Sequence, residues 1–142
     1  MKTIMTKFKI LAKFVKDMSS ETKDALTYLF VKDNISKYHL NIDITSKPQK
    51  NKLIEVNTTL KFEDKEPNEN RSHFEMIYAT IVKIDEEVKD KKELEKIILC
   101  DIQNEIYPNI EKAFSNLLID SGFEGVSFKK VDFNKLYNER FN

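Results

Sequence analysis

From His73 to Ile84 the chain reads His-Phe-Glu-Met-Ile-Tyr-Ala-Thr-Ile-Val-Lys-Ile. In a strand, alternate side chains point to opposite faces. One face then carries Phe74, Met76, Tyr78, Thr80, Val82 and Ile84, and is apolar along almost its whole length. The other carries Glu75, Ile77, Ala79, Ile81 and Lys83, and is apolar in its middle. A sheet with one wetted face alternates apolar with polar. This segment does not, so the pattern predicts a strand covered on both sides, by the chain's own helices on one side and by another subunit on the other.

Similar alternation predicts three strands before it. Phe8 to Asp17 places Phe8, Ile10, Ala12 and Phe14 on one face and lysines on the other, with Leu11 and Val15 breaking the rule. Met18 to Thr22 reads as an exit loop. Tyr38 to Thr45 alternates Leu40, Ile42 and Ile44 with Asn41 and Asp43, and Leu53 to Glu63 turns Ile54, Val56, Thr58, Leu60 and Phe62 inward. Between the first two strands, Leu26, Leu29 and Phe30 have the spacing of a short helical turn. After Glu93 the period becomes helical: Leu94, Ile97, Ile98, Ile102 and Ile106 form one stripe. Pro108 lacks a backbone donor and predicts a break or kink. Ile110, Ala113, Phe114, Leu117 and Leu118 resume the stripe to a glycine cap at Gly122. Asp132 is placed to cap a last helix carrying Phe133, Leu136, Tyr137 and Phe141. Strands followed by helices predict an α+β fold, a four-stranded antiparallel sheet with helices packed on one face, in a single domain over residues 1–142.

Composition narrows the chemistry. The chain has 142 residues, 24 basic and 24 acidic, so its formal net charge is zero and gives no case for nucleic-acid binding. Cys100 is the only cysteine, which excludes a disulfide framework and a cysteine-rich zinc site. His39 and His73 have no ligand spacing around them, so no metal and no cofactor are expected. Two glycines, Gly122 and Gly125, are too few for a Gly-rich phosphate loop, and no nucleophile motif is present. Lysines interrupt the apolar residues near the N-terminus, and no window approaches a membrane span, so a cytoplasmic protein is expected. These absences favour a binding protein over an enzyme.

Four stretches carry a family resemblance, and a fifth fits it. Phe8-Lys-Ile-Leu-Ala-Lys-Phe-Val-Lys-Asp-Met-Ser resembles the opening strand of the SecB family of bacterial protein-export chaperones. Ile54-Glu-Val followed by Thr-Leu-x-Phe-Glu is similar to its third strand. Phe74-Glu-Met-Ile-Tyr-Ala-Thr-Ile-Val-Lys-Ile is similar to its fourth. Leu99-Cys-Asp-Ile-Gln-Asn-Glu-Ile-Tyr-Pro resembles the family's Leu-Ile-Glu-Cys-Pro-x-Leu-Leu-Phe-Pro, and Val131-Asp-Phe-x-x-Leu-Tyr its final helix. The order and spacing of these stretches carry the likeness. The chain departs from the family in having Thr80 in place of a glycine, a shifted Cys100, Thr22-Lys-Asp-Ala-Leu in place of a Pro-rich segment, and a neutral charge.

The resemblance implies an ATP-independent chaperone, a homotetramer built as a dimer of dimers, which binds unfolded secretory preproteins and delivers them to the SecA motor. It implies SecA contacts at Asp17, Glu21 and Glu75. It implies client contacts at Leu40, Ile42 and Ile44 on the second strand and at Phe133, Leu136 and Tyr137 on the last helix. It implies a tetramer interface at Phe74, Met76 and Tyr78, which would leave Ile77, Ala79 and Ile81 beneath the helices. The alternatives are a SecB-like chaperone of a toxin–antitoxin system and a small oligomer that binds an apolar ligand.

Overall fold

The computed structural model describes residues 7–66 and 69–141. Four antiparallel strands, β1 (Phe8–Glu21), β2 (Tyr38–Pro48), β3 (Leu53–Asp64) and β4 (His73–Ile84), form one sheet in the order β1-β4-β3-β2. β4 lies at the centre beside β3, which accounts for its apolar content. The chain leaves β1 at one edge and must cross the sheet to begin β2 at the other. α1 (Ala25–Asn34) makes that crossing.

β1 is longer than its sequence suggests, because Met18 to Glu21 continue the ladder opposite Met76 to His73. Leu11 and Val15 broke the alternation for a structural reason. The register shifts between Ile10 and Ala12 and again between Val15 and Asp17, so β1 carries two bulges. Each bulge inserts one extra residue and resets which face the next side chain takes.

The helical half is one long rod: α2 (Lys91–Lys96), a π-helical stretch from Ile97 to Asp101, and α3 (Ile102–Asp120). Pro108 does not break it. Both Pro108 and Asn104, four residues earlier, are exposed, so the carbonyl deprived of its donor faces water. The irregularity comes earlier, in the π turn. There the buried Gln103 side chain donates to the Ile98 carbonyl (3.3 Å) and accepts from the Thr58 hydroxyl (2.9 Å), tying the rod to β3. At the far end Gly122 has φ 95° and caps α3, with the Phe123 amide donating to the Leu118 carbonyl. A Cβ at Gly122 would lie 2.8 Å from the Tyr28 ring. An extended segment then leads to α4 (Phe133–Phe141), capped by the Asp132 carboxylate, which accepts from the Lys135 amide.

The packing reverses one expectation. Phe74 and Met76 are fully buried and Tyr78 nearly so within the single chain, under α3 and the Phe123 segment. They are core residues and have no surface to offer another subunit. The opposite face, with Ile77 and Ile81, lies outside rather than under the helices. Strand parity shows that two faces exist but not which one the helices cover. Leu60, Phe62, Ile106, Ile110 and Phe114 complete the core on the helix side.

Candidate functional site

Between the edge strand β2 and the segment leading to α4 runs a groove of about 840 Å³. Leu40 and Ile42 form its β2 wall, and Phe128, Val131 and Leu136 form the other. A smaller apolar pocket of about 190 Å³ continues it, lined by Ile42, Ile44, Leu99, Phe133, Leu136 and Tyr137. The structure therefore brings together all six residues read from the sequence as client contacts. They differ in availability. Leu136 is 47% exposed, while Phe133 is 2% exposed and packs edge-on against Tyr107. Leu40, Ile42 and Ile44 are half-buried, each on the helix side of β2 by its pairing with Phe62, Leu60 and Thr58. The side chain of Phe141 lies outside the described residues.

The part of the groove's second wall at Ser127 and Phe128 was missed in the sequence. Val126, Ser127 and Phe128 alternate as an extended segment does, a weak signal over so few residues. Phe128 stacks edge-on against Phe62 and so anchors the wall to the sheet. Lys129, Lys130 and Lys135 line the polar rim with Asp132 and Glu139. Beneath the groove the Cys100 thiol is buried and donates to the Phe133 carbonyl at 3.5 Å, and burial pushes its pKa up. It holds α4 in place and is not poised as a nucleophile. Tyr107, also buried here, is pushed up to about 12 by burial and, secondarily, by Glu111.

The three acids read as motor contacts also converge. Ser19 pairs with Glu75, Asp17 with Ile77 and Glu21 with His73. Asp17, Glu21 and Glu75 thus share the sheet face that carries no helix, at one end of β1 and β4. Glu75 has partners in Lys61 (3.9 Å) and the His73 ring (3.3 Å), whereas Asp17 and Glu21 are exposed. No group of His, Cys, Asp and Glu among the described residues is placed to hold a metal ion. No helix among them is long and apolar enough to cross a membrane.

Residues 2–142 match the family described as preprotein translocase subunit SecB. A putative protein-export protein SecB of Pelagibacter ubique is 59% identical over 95% of this chain and 97% of its own length. The protein-export protein SecB of Bartonella quintana is 22% identical over 94% of this chain and 83% of its own. Among solved structures, a SecB-like chaperone of Mycobacterium tuberculosis, in complex with a peptide from an antitoxin, superposes with a TM-score of 0.63 at 11% identity. The match covers 88% of this chain and 91% of that one. With its whole length matched and its sheet and helices arranged alike, this chain belongs to the SecB family.

Proposed function

We propose that this protein is a chaperone that binds unfolded secretory preproteins in the cytoplasm without nucleotide and delivers them to the SecA motor. The observation that carries this reading is the groove beside β2, with its apolar floor continuing to Leu99 and Tyr137. It is open to solvent, as a stretch of unfolded chain requires, and Leu40, Ile42, Phe128, Val131 and Leu136 give it an apolar lining. Each apolar segment buried there gains about 25 cal/mol per Å² before ordering costs. One groove binds weakly. Several on one homotetramer, a dimer of dimers, would raise avidity by about 10²–10⁴. A folded protein hides such segments and is passed over.

Asp17, Glu21 and Glu75 would meet the motor on the bare face of the sheet. Because the grooves open on the helix side, client and motor can be held at once. The test is light scattering of an unfolded secretory protein diluted from denaturant. At a molar excess of this protein, without ATP, scattering should be suppressed. Placing charge in the groove by Ile42→Asp with Leu136→Asp should abolish the effect. Unchanged scattering with the natural chain would overturn the reading.

A second reading, control of a toxin–antitoxin pair, is favoured by the antitoxin peptide bound to the Mycobacterium tuberculosis neighbour. A pull-down from the native cytosol separates the two: SecA and unprocessed preproteins support export, and an antitoxin supports the other.

A further inference from the structure

The floor of the groove depends on the phase of the long helical rod. Seven residues make almost two α-helical turns, so positions seven apart share a face. Ile106 and Ile110 are fully buried under the sheet. Seven residues before Ile106 stands Leu99; seven and fourteen before Ile110 stand Gln103 and Lys96. An unbroken α-helix would therefore seat Leu99 in the core and carry Lys96 in on the line of Gln103. The structure does neither. Lys96 is exposed, Ile97 and Ile98 are buried in the core, and the half-buried Leu99 lines the apolar pocket with Ile42, Ile44, Phe133 and Leu136.

The π turn makes the difference. The Ile102 amide donates to the Ile97 carbonyl, five residues back, where an α-helix would turn it to Ile98. One extra residue is taken into the turn, which rotates everything before it by about 100° relative to a regular helix. The Ile98 carbonyl loses its α-helical donor. The Gln103 side-chain amide supplies another at 3.3 Å, and its oxygen accepts from the Thr58 hydroxyl at 2.9 Å. Gln103 and Thr58 are both fully buried. Thr58 stands on β3 directly opposite Ile44, which lines the same pocket. The pair thus joins the turn that presents Leu99 to the strand beside Ile44. Packing alone does not call for a buried amide and hydroxyl, because two apolar residues of like shape would fill the space about as well.

We infer that Thr58 and Gln103 are positioning residues for the groove: they pin the π turn in place and with it hold Leu99 on the floor. The inference rests on the groove being where an apolar segment of a client binds. Lys96 acts in the same direction, since a charge resists entry to the core. With neither the pair nor that charge, the rod is free to wind as a regular α-helix, which takes Leu99 off the floor.

Lys96→Leu is therefore the background for the test, because it makes both windings acceptable without touching the pair. A labelled, short, leucine-rich peptide is titrated into each full-length variant and read by fluorescence anisotropy, alongside the denaturant midpoint. Lys96→Leu alone should bind as the natural chain does. Adding Thr58→Val and Gln103→Met should leave the midpoint nearly unchanged, since both partners become apolar together. It should nevertheless weaken the peptide at least ~10-fold, the worth of one buried leucine. Adding Thr58→Ser instead keeps the hydroxyl and loses a methyl, so the midpoint should fall while the affinity holds. Affinity that follows the midpoint through the series, or a paired variant that binds as tightly as its background, would overturn the inference and leave the groove reading standing. A natural chain that leaves the peptide unbound would overturn that reading, and the inference with it.

Discussion

Thr80 sits at the middle of β4 on the face that α3 covers, fully buried, with no hydrogen-bond partner for its hydroxyl among the described residues. A buried hydroxyl left unpaired costs on the order of 1–3 kcal/mol. Valine has nearly the same shape, suits a strand and has nothing to satisfy. Thr80→Val should therefore raise the unfolding free energy by about 1 kcal/mol, seen as a higher denaturant midpoint at unchanged slope. A lower midpoint would mean that the hydroxyl makes a contact the structure lacks. The same position shows where sequence reading stops. Period-two alternation placed Phe74, Met76, Tyr78 and Thr80 together correctly. It could not say that this was the inward face, because both faces of β4 are apolar over Ile77 to Ile81 and only tertiary packing breaks the tie.

Among the elements, α1 was the least legible. Leu26, Leu29 and Phe30 have the spacing of a buried stripe, yet they are 80%, 55% and 37% exposed. The buried side is Thr27 and Val31, with Tyr28 stacked on Phe123 and donating to the Gly122 carbonyl at 2.6 Å. Two apolar stripes on one short helix give periodicity no means of choosing. The bulges of β1 and the groove wall at Val126 to Phe128 were hidden for a related reason: one displaced residue, or a few extended ones, leaves too short a pattern. The strand and helix faces that carry the six groove residues on β2 and α4 were legible because each lies in a longer periodic run, while their reading as client contacts came from the family resemblance. What starts α1 is clear in the structure. The Asp24 side chain accepts from the Thr27 amide at 2.8 Å, and hydrogen bonding from Thr27 lowers the carboxyl below its ordinary 3.8. A carboxylate with a depressed folded pKa stabilises fully above its unfolded value, and that stabilisation is lost as pH falls through the folded one. At neutral pH, Asp24→Ala should lower the melting temperature by a few degrees. The gap between the two proteins should close as the pH is taken below 3.8. A gap that widens in acid would show that the cap is not the cause.

For the whole molecule, the open question is how a sheet with one bare face and a bare edge is completed. β1 pairs with β4 on one side only, and its other edge presents unpaired backbone groups over a strand of 14 residues. Such an edge invites another strand. Leu11, Val15 and Met18 along it are 47%, 41% and 40% exposed. Val15 and Met18 point to the helix side by their pairing with Tyr78 and Met76, so they are separate from the bare face that carries Ile77. Lys13 and Ser20, on that same side, reach Asn109 and Ser121 of the long helical rod and its cap, which borders the two apolar residues with polar ones. In the proposed tetramer this edge would supply the seam between copies, in place of the buried Phe74, Met76 and Tyr78. Val15→Glu with Met18→Glu should shift the mass measured by size exclusion with light scattering toward the monomer, while circular dichroism stays unchanged, since neither side chain is in the core. An oligomer of unaltered mass would place the seam elsewhere. The same variant links assembly to function. A monomer keeps its groove beside β2 but loses the joined array, so its affinity for a long unfolded client should fall by about 10²–10⁴, whereas its affinity for a short apolar peptide that fills one groove should not change.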